Sequence, residues 1–172
     1  MCGIIGYVGR QEAAPILLEG LERMEYRGYD STGMAVCGDG VLRVCKKKGR
    51  VQVLREMSHD GADLPGTLGI GHTRWATHGE PSDVNAHPHL SQSGKFAVVH
   101  NGIIENFIAL KEELLQKGYT FRSETDTEVV AQLLDYYYSD CGDFFEAMNR
   151  LLHAVDGAYA LGIICADYPN AL

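Results

Sequence analysis

Cys2 is followed at once by the strand-like run Gly3-Ile4-Ile5-Gly6-Tyr7-Val8. Removal of Met1 would place a thiol and a free α-amino group on one residue, so that a nucleophile and a base sit side by side. An ordinary thiol titrates near about 8.5 and an α-amine near about 7.7–8.0, so close to neutrality part of the amine can accept the thiol proton. The plain alternative is that Cys2 is a small buried hydrophobe.

Three further segments carry groups that could serve such a nucleophile. The run from Thr73 to His89 has no clear periodicity and lies between two strand-like segments, the setting in which loops tend to carry binding groups. Within it, Arg74 has the planar fork suited to a carboxylate, unless it is only a surface arginine. Val98-Val99-His100-Asn101-Gly102 ends a strand on an Asn-Gly step. That step is either a plain turn or a pair of donors, the Asn101 amide and the Gly102 N–H, aimed at one developing oxyanion. Asp126 could receive an ammonium, although its place at a helix start also suits capping. His72, His78, His87 and His89 invite a metal reading, but no H-E-x-x-H motif is present, and capping, turn stabilisation and loop packing account for them more simply. Gly69-x-Gly71 is half of a dinucleotide fingerprint, with Arg74 where the third glycine belongs, so it carries little weight.

These groups need a scaffold. Residues 3–8, 32–37, 41–47, 67–73, 95–100 and 158–165 read as strands, and Gly38-Asp39-Gly40 supplies a hairpin turn. Helices are expected over 12–25, 51–57, 107–117 and 143–154. A further helix, opened by capping-box spacing at Thr125-Asp126-Thr127-Glu128, should run to about Tyr138. Strands at both ends with hairpins and helices between them predict an α+β layered fold, not βαβ winding.

The chain has 172 residues, enough for one domain with a sizeable core. A hydrophobic share of 45% with 22% charged residues suits a soluble protein, and a net charge of −8 argues against nucleic acid or an anionic membrane as partner. Lys46-Lys47-Lys48 is the only basic run and reads as a solvated strand end. No apolar stretch approaches the length of a membrane span, and with only Met1 ahead of Cys2 no signal peptide is expected. Five cysteines without a C-x-x-C pair point to a reducing cytoplasm.

Together the motifs resemble a known family. Cys2-Gly3-Ile4-Ile5-Gly6 is similar to the start of class II, N-terminal-nucleophile glutamine amidotransferases. Tyr26-Arg27-Gly28-Tyr29-Asp30-Ser31, the Thr73–His89 run, Val99-His100-Asn101-Gly102-Ile103-Ile104-Glu105-Asn106 and Ser123-Glu124-Thr125-Asp126-Thr127-Glu128 resemble the glutaminase part of glucosamine-6-phosphate synthases within that class. The resemblance implies a four-layer αββα sandwich of the N-terminal-nucleophile hydrolase type. It implies hydrolysis of the L-glutamine side-chain amide through a Cys2 γ-glutamyl thioester, with no metal and no cofactor. Asn101 and Gly102 would form the oxyanion hole. Arg74, Trp75, Thr77, His78, Gly102 and Asp126 would bind substrate, and Arg27 would orient the N-terminus from behind. Residues 1–172 would be a glutaminase domain truncated at its C-terminal end and lacking its last strands. The sugar-isomerase domains, where the ammonia would convert fructose 6-phosphate to glucosamine 6-phosphate in a homo-oligomeric full-length enzyme, would be absent. Two alternatives keep the fold: a hydrolase of another amide using the same Cys2, or a non-catalytic regulatory domain.

Overall fold

The computed structural model describes residues 2–75 and 79–172, with the side chain of Arg27 outside the description. Strand β1 (Gly3–Val8) leads into α1 (Ala13–Met24), the hairpin β2 (Ser31–Gly38) and β3 (Val41–Lys48), α2 (Val51–Met57) and β4 (Leu68–Arg74). The short β5 (His89–Leu90) and the longer β6 (Phe96–Ile104) follow, then α3 (Phe107–Gln116), α4 (Thr127–Cys141), α5 (Phe144–Ala154) and β7 (Gly157–Cys165). The hairpin closes where Asp39 and Gly40 both take positive φ (53° and 70°), the twist that a two-residue turn between antiparallel strands requires.

Two antiparallel sheets result, one in the order β1-β4-β2-β3 and one in the order β5-β6-β7. The period-two alternation of their strands sorts side chains into layers. Ala35, Cys37, Leu68, Ile70, Ala97, Val99 and Ile164 pack between the sheets. Met34 and Val36 face the other way, against Leu17, Leu18 and Leu21 of α1 and Leu54 of α2. Phe96, Val98 and Ile163 pack on α3, α4 and α5 through Leu114, Val130, Leu134 and Leu151. The layers therefore run α, β, β, α, the expected sandwich. Each fully buried leucine contributes about 1.5–3 kcal/mol to holding them together.

Four local expectations are corrected. Strand β6 does not stop at His100 but continues through Asn101 and Gly102 to Ile104, paired with β7 throughout. The capping box at Thr125 and Glu128 does not form: Glu128 instead accepts the backbone N–H groups of Arg122 and Ser123, and Thr125 Oγ1 bonds the His89 ring. Lys46 is not a solvated strand end, since its ammonium donates to the Val84 and Ala86 carbonyls at 3.1 and 2.7 Å. Burial lowers its pKa to about 8. Strand β7 is buried only at Ile163, Ile164 and Cys165, the residues that reach the cores on its two faces. No helix among these residues is long and apolar enough to cross a membrane.

Candidate active site

The same alternation that builds the core also builds the site. Along β4, Leu68 and Ile70 point between the sheets, and two steps on, with the same parity, come His72 and Arg74. Along β6 the inner-face series Ala97, Val99 continues to Asn101. Ile4 of β1 packs against the same inter-sheet core, and Cys2 lies one alternation before it. One end of the sandwich thus turns polar, with the thiol, the arginine, the asparagine and Asp126 lining one small cavity of about 50 Å³.

The half-buried Cys2 accepts a hydrogen bond at its Sγ from the Trp75 backbone N–H, at 3.1 Å. Trp75 itself is 55% exposed. Gly28 lies against its indole, so close that a β-carbon there would sit 3.3 Å from the ring. Arg74, buried at the end of β4, donates from Nη2 to the Gly79 carbonyl at 3.0 Å, with Nη1 3.9 Å from Asp30 Oδ1. Asn101 and Gly102 occupy the middle of a strand, not a turn. Gly102 has φ +125°, and a β-carbon there would fall 2.1 Å from the Ala158 carbonyl oxygen. Only glycine fits a backbone that leaves the regular strand path this close to its neighbour.

Asp126 sits at the N-cap of α4 but makes no side-chain cap bond. Its Oδ2 instead accepts the Ile104 N–H at 2.9 Å, which ties the helix start to the end of β6. Thr77 and His78 lie outside the described residues, as does the side chain of Arg27. The remaining site residues expected from the sequence meet at this one cavity.

The inner wall of the cavity is a buried polar cluster whose role local sequence did not disclose. His72 Nε2 lies 2.8 Å from Asn101 Oδ1, within hydrogen-bond distance. His87 stacks on His72 with ring centroids 4.4 Å apart. The Thr127 hydroxyl lies 2.8 Å from His87 Nε2 and 2.9 Å from His100 Nδ1. Desolvation by burial lowers the pKa of His72 to about 4 and holds His87 and His89 well below their ordinary value. Of the expected roles, capping and turn stabilisation are not found at His72, His87 and His89; these are packed interior rings that also hydrogen-bond. The parity of β4 was the available signal, since a histidine two residues after a core isoleucine must face inward. Among the described residues no three His, Cys, Asp or Glu side chains are grouped so that they could hold a metal ion.

A larger cavity of about 750 Å³ opens elsewhere, lined by Cys45, Lys46, His89, Arg122 and Glu128. Its one thiol is a poor nucleophile, because burial pushes the Cys45 pKa up. Burial does the same to Cys37 and raises Cys165 to about 11. Size alone therefore does not locate the chemistry.

The family model described as a glutamine amidotransferase domain matches residues 35–165. Over 172 residues the chain is 60% identical to the glutamine–fructose-6-phosphate aminotransferase (isomerizing) of Caldanaerobacter subterraneus subsp. tengcongensis, covering 100% of this chain and 28% of that one. Over 170 residues it is 55% identical to the enzyme of the same name from Clostridium tetani, covering 99% of this chain and 28% of the relative. The chain thus spans little more than a quarter of the length of these relatives. Among solved structures it is similar to the glutamine phosphoribosylpyrophosphate amidotransferase of B. subtilis complexed with ADP and GMP, with a TM-score of 0.80 and 29% identity over 96% of this chain and 35% of that one. The family match runs from the middle of β2 to the last residue of β7 and takes in part of each of the four layers. The chain belongs to the glutamine amidotransferase domain family.

Proposed function

We propose that this chain is a glutaminase in which Cys2, freed at its α-amine by removal of Met1, attacks the side-chain amide of L-glutamine. The observation that carries the reading is the convergence of Cys2, Arg74, Asn101 and Asp126 on one cavity at the polar end of the sandwich. Free glutamine bears a carboxylate and an ammonium at one end and a neutral amide at the other. The Arg74 fork suits the first, the buried Asp126 carboxylate suits the second, and docking both ends would hold the amide carbon over the sulfur.

The thiol proton passes to the α-amine and the thiolate adds to the amide carbon. The resulting oxyanion is stabilised by the Asn101 side-chain amide and the Gly102 N–H, each worth about 2.7–4 kcal/mol in such a transition state. The protonated amine then gives its proton to the departing nitrogen, ammonia leaves, and a γ-glutamyl thioester remains. Water adds to the thioester by the same sequence and releases glutamate. Trp75, Thr77 and His78 would complete the contacts to glutamine beside Arg74, and Arg27 would orient the chain start. In the longer relatives whose name includes fructose 6-phosphate, the ammonia would aminate that sugar phosphate to give glucosamine 6-phosphate. The full enzyme would act in the cytoplasm as a homo-oligomer, without nucleic acid or membrane as partner.

The test is ammonia release from glutamine, with intact mass after treatment with an electrophilic glutamine analogue. The expected result is one adduct on a chain that begins at Cys2, and loss of both adduct and activity in Cys2→Ala. Labelling at Cys37 or Cys45, equal turnover of asparagine, or full activity with Met1 retained would overturn the reading.

A further inference from the structure

We infer that His72 is a positioning residue for the oxyanion hole: it fixes which end of the Asn101 amide faces the reacting carbonyl. The inference rests on the reading of Asn101 as an oxyanion donor. A carboxamide has an oxygen end and a nitrogen end of nearly equal size, and shape alone does not choose between them. Turned one way, Asn101 offers N–H donors to the cavity. Turned the other, it offers a carbonyl dipole that would repel a developing oxyanion. The choice therefore lies with whatever bonds the amide from behind.

That partner is the fully buried ring of His72, reached across the space between the two sheets, with its Nε2 at 2.8 Å from Asn101 Oδ1. The amide oxygen accepts, so the ring proton is assigned to Nε2, and the amide NH₂ is left for the cavity that both residues line. The ring is itself held in place. It sits on β4 opposite Gly33 of β2 and Ile4 of β1, with the His87 ring stacked at 4.4 Å. Burial keeps it neutral through the physiological range, so it carries one ring proton and a single tautomer decides the amide's direction.

The Asn101–His72 bond joins residues 29 apart in sequence and the two sheets in space. Asp126, by contrast, makes its shortest bond with the Ile104 N–H at 2.9 Å, and meets the histidine cluster only through longer contacts, 3.5 Å to Thr127 Oγ1 and 3.8 Å to His100 Nδ1. Loss of the His72 donor should therefore affect the transition state and leave the clamp on the charged end of glutamine in place.

The test is a double-mutant cycle on glutamine hydrolysis. Asn101→Ala should lower kcat by about 10²–10³ with little change in KM. His72→Leu should lower kcat by about 10²-fold, also with little change in KM, because the amide is free to turn. The double variant should be no slower than Asn101→Ala, since a histidine acting only through Asn101 has nothing left to position. His72→Gln, which retains a side-chain N–H at similar reach, should recover most of the turnover lost in His72→Leu. Additive losses in the double variant, or a His72→Leu enzyme with normal kcat beside a slow Asn101→Ala, would overturn the inference while leaving the glutaminase reading intact. Normal kcat in Asn101→Ala would overturn both. Should His72→Leu not fold, ¹⁵N NMR of the wild-type ring decides: a proton on Nε2 supports the inference, and one on Nδ1 overturns it.

Discussion

Acidification from about pH 7.5 to about pH 5 should destabilise this chain well before its carboxylates begin to protonate, because its interior holds several uncharged histidines. In the unfolded chain a histidine titrates near about 6.5, whereas burial lowers the folded pKa of His72 to about 4. A lowered folded value means that the unfolded state binds the proton more tightly. Stability is therefore complete above about 6.5 and falls as the pH drops from there toward about 4. At about pH 5 the unfolded ring is almost fully protonated and the folded ring almost fully neutral. With these two values His72 alone removes about 2 kcal/mol. His87 and His89, desolvated in the same cluster, act in the same direction. Asp83 and Asp167 are held below the usual carboxylate range, chiefly by hydrogen bonds from Lys47 and Lys95, so their contribution is lost only at lower pH. Urea unfolding followed by far-UV circular dichroism reads the effect. For a typical slope of about 1–3 kcal/mol per molar, the midpoint should fall by about 1 M or more between the two pH values. An unchanged midpoint would mean that the rings take up protons inside the fold, and the reasoning from a neutral histidine cluster would be wrong.

Two further perturbations address the site directly. Gly102→Ala should abolish measurable ammonia release and lower the urea midpoint by an amount equivalent to about 1–3 kcal/mol, because the new methyl would collide with the Ala158 carbonyl at a φ of +125°; wild-type turnover would show that β6 does not need its distortion there. Arg74→Lys should raise KM for glutamine with a smaller change in kcat, since a point charge replaces a fork at a buried position. Steady-state kinetics with an unchanged KM would remove Arg74 from the substrate clamp.

Much of this architecture was legible in the chain itself. The alternation Leu68, Ile70, His72, Arg74 marks one inward face, and the Gly38-Asp39-Gly40 turn marks the hairpin. The leucines of α1 at helical spacing mark the face it buries. Errors came where a local pattern had two physical uses. Asn-Gly commonly ends a strand, yet here the glycine lets β6 pass close to β7 and continue. Thr125 and Glu128 have the spacing of a capping box, yet both side chains are taken by partners outside the helix. Lys46 reads as part of a charged run, but the segment at 84–86 folds over it and supplies two carbonyl acceptors.

Sequence by itself determined the elements, the inward faces and the kinds of chemical group available, because strand alternation, helix spacing and side-chain chemistry are local properties. Tertiary structure alone decided that Cys2, Arg74, Asn101 and Asp126 share one cavity, and that His72 bonds Asn101 across the sandwich. The physical reason is that these contacts join strands remote in sequence. Their geometry is set by how two sheets stack and which of their ends coincide, and no spacing within a single segment records it.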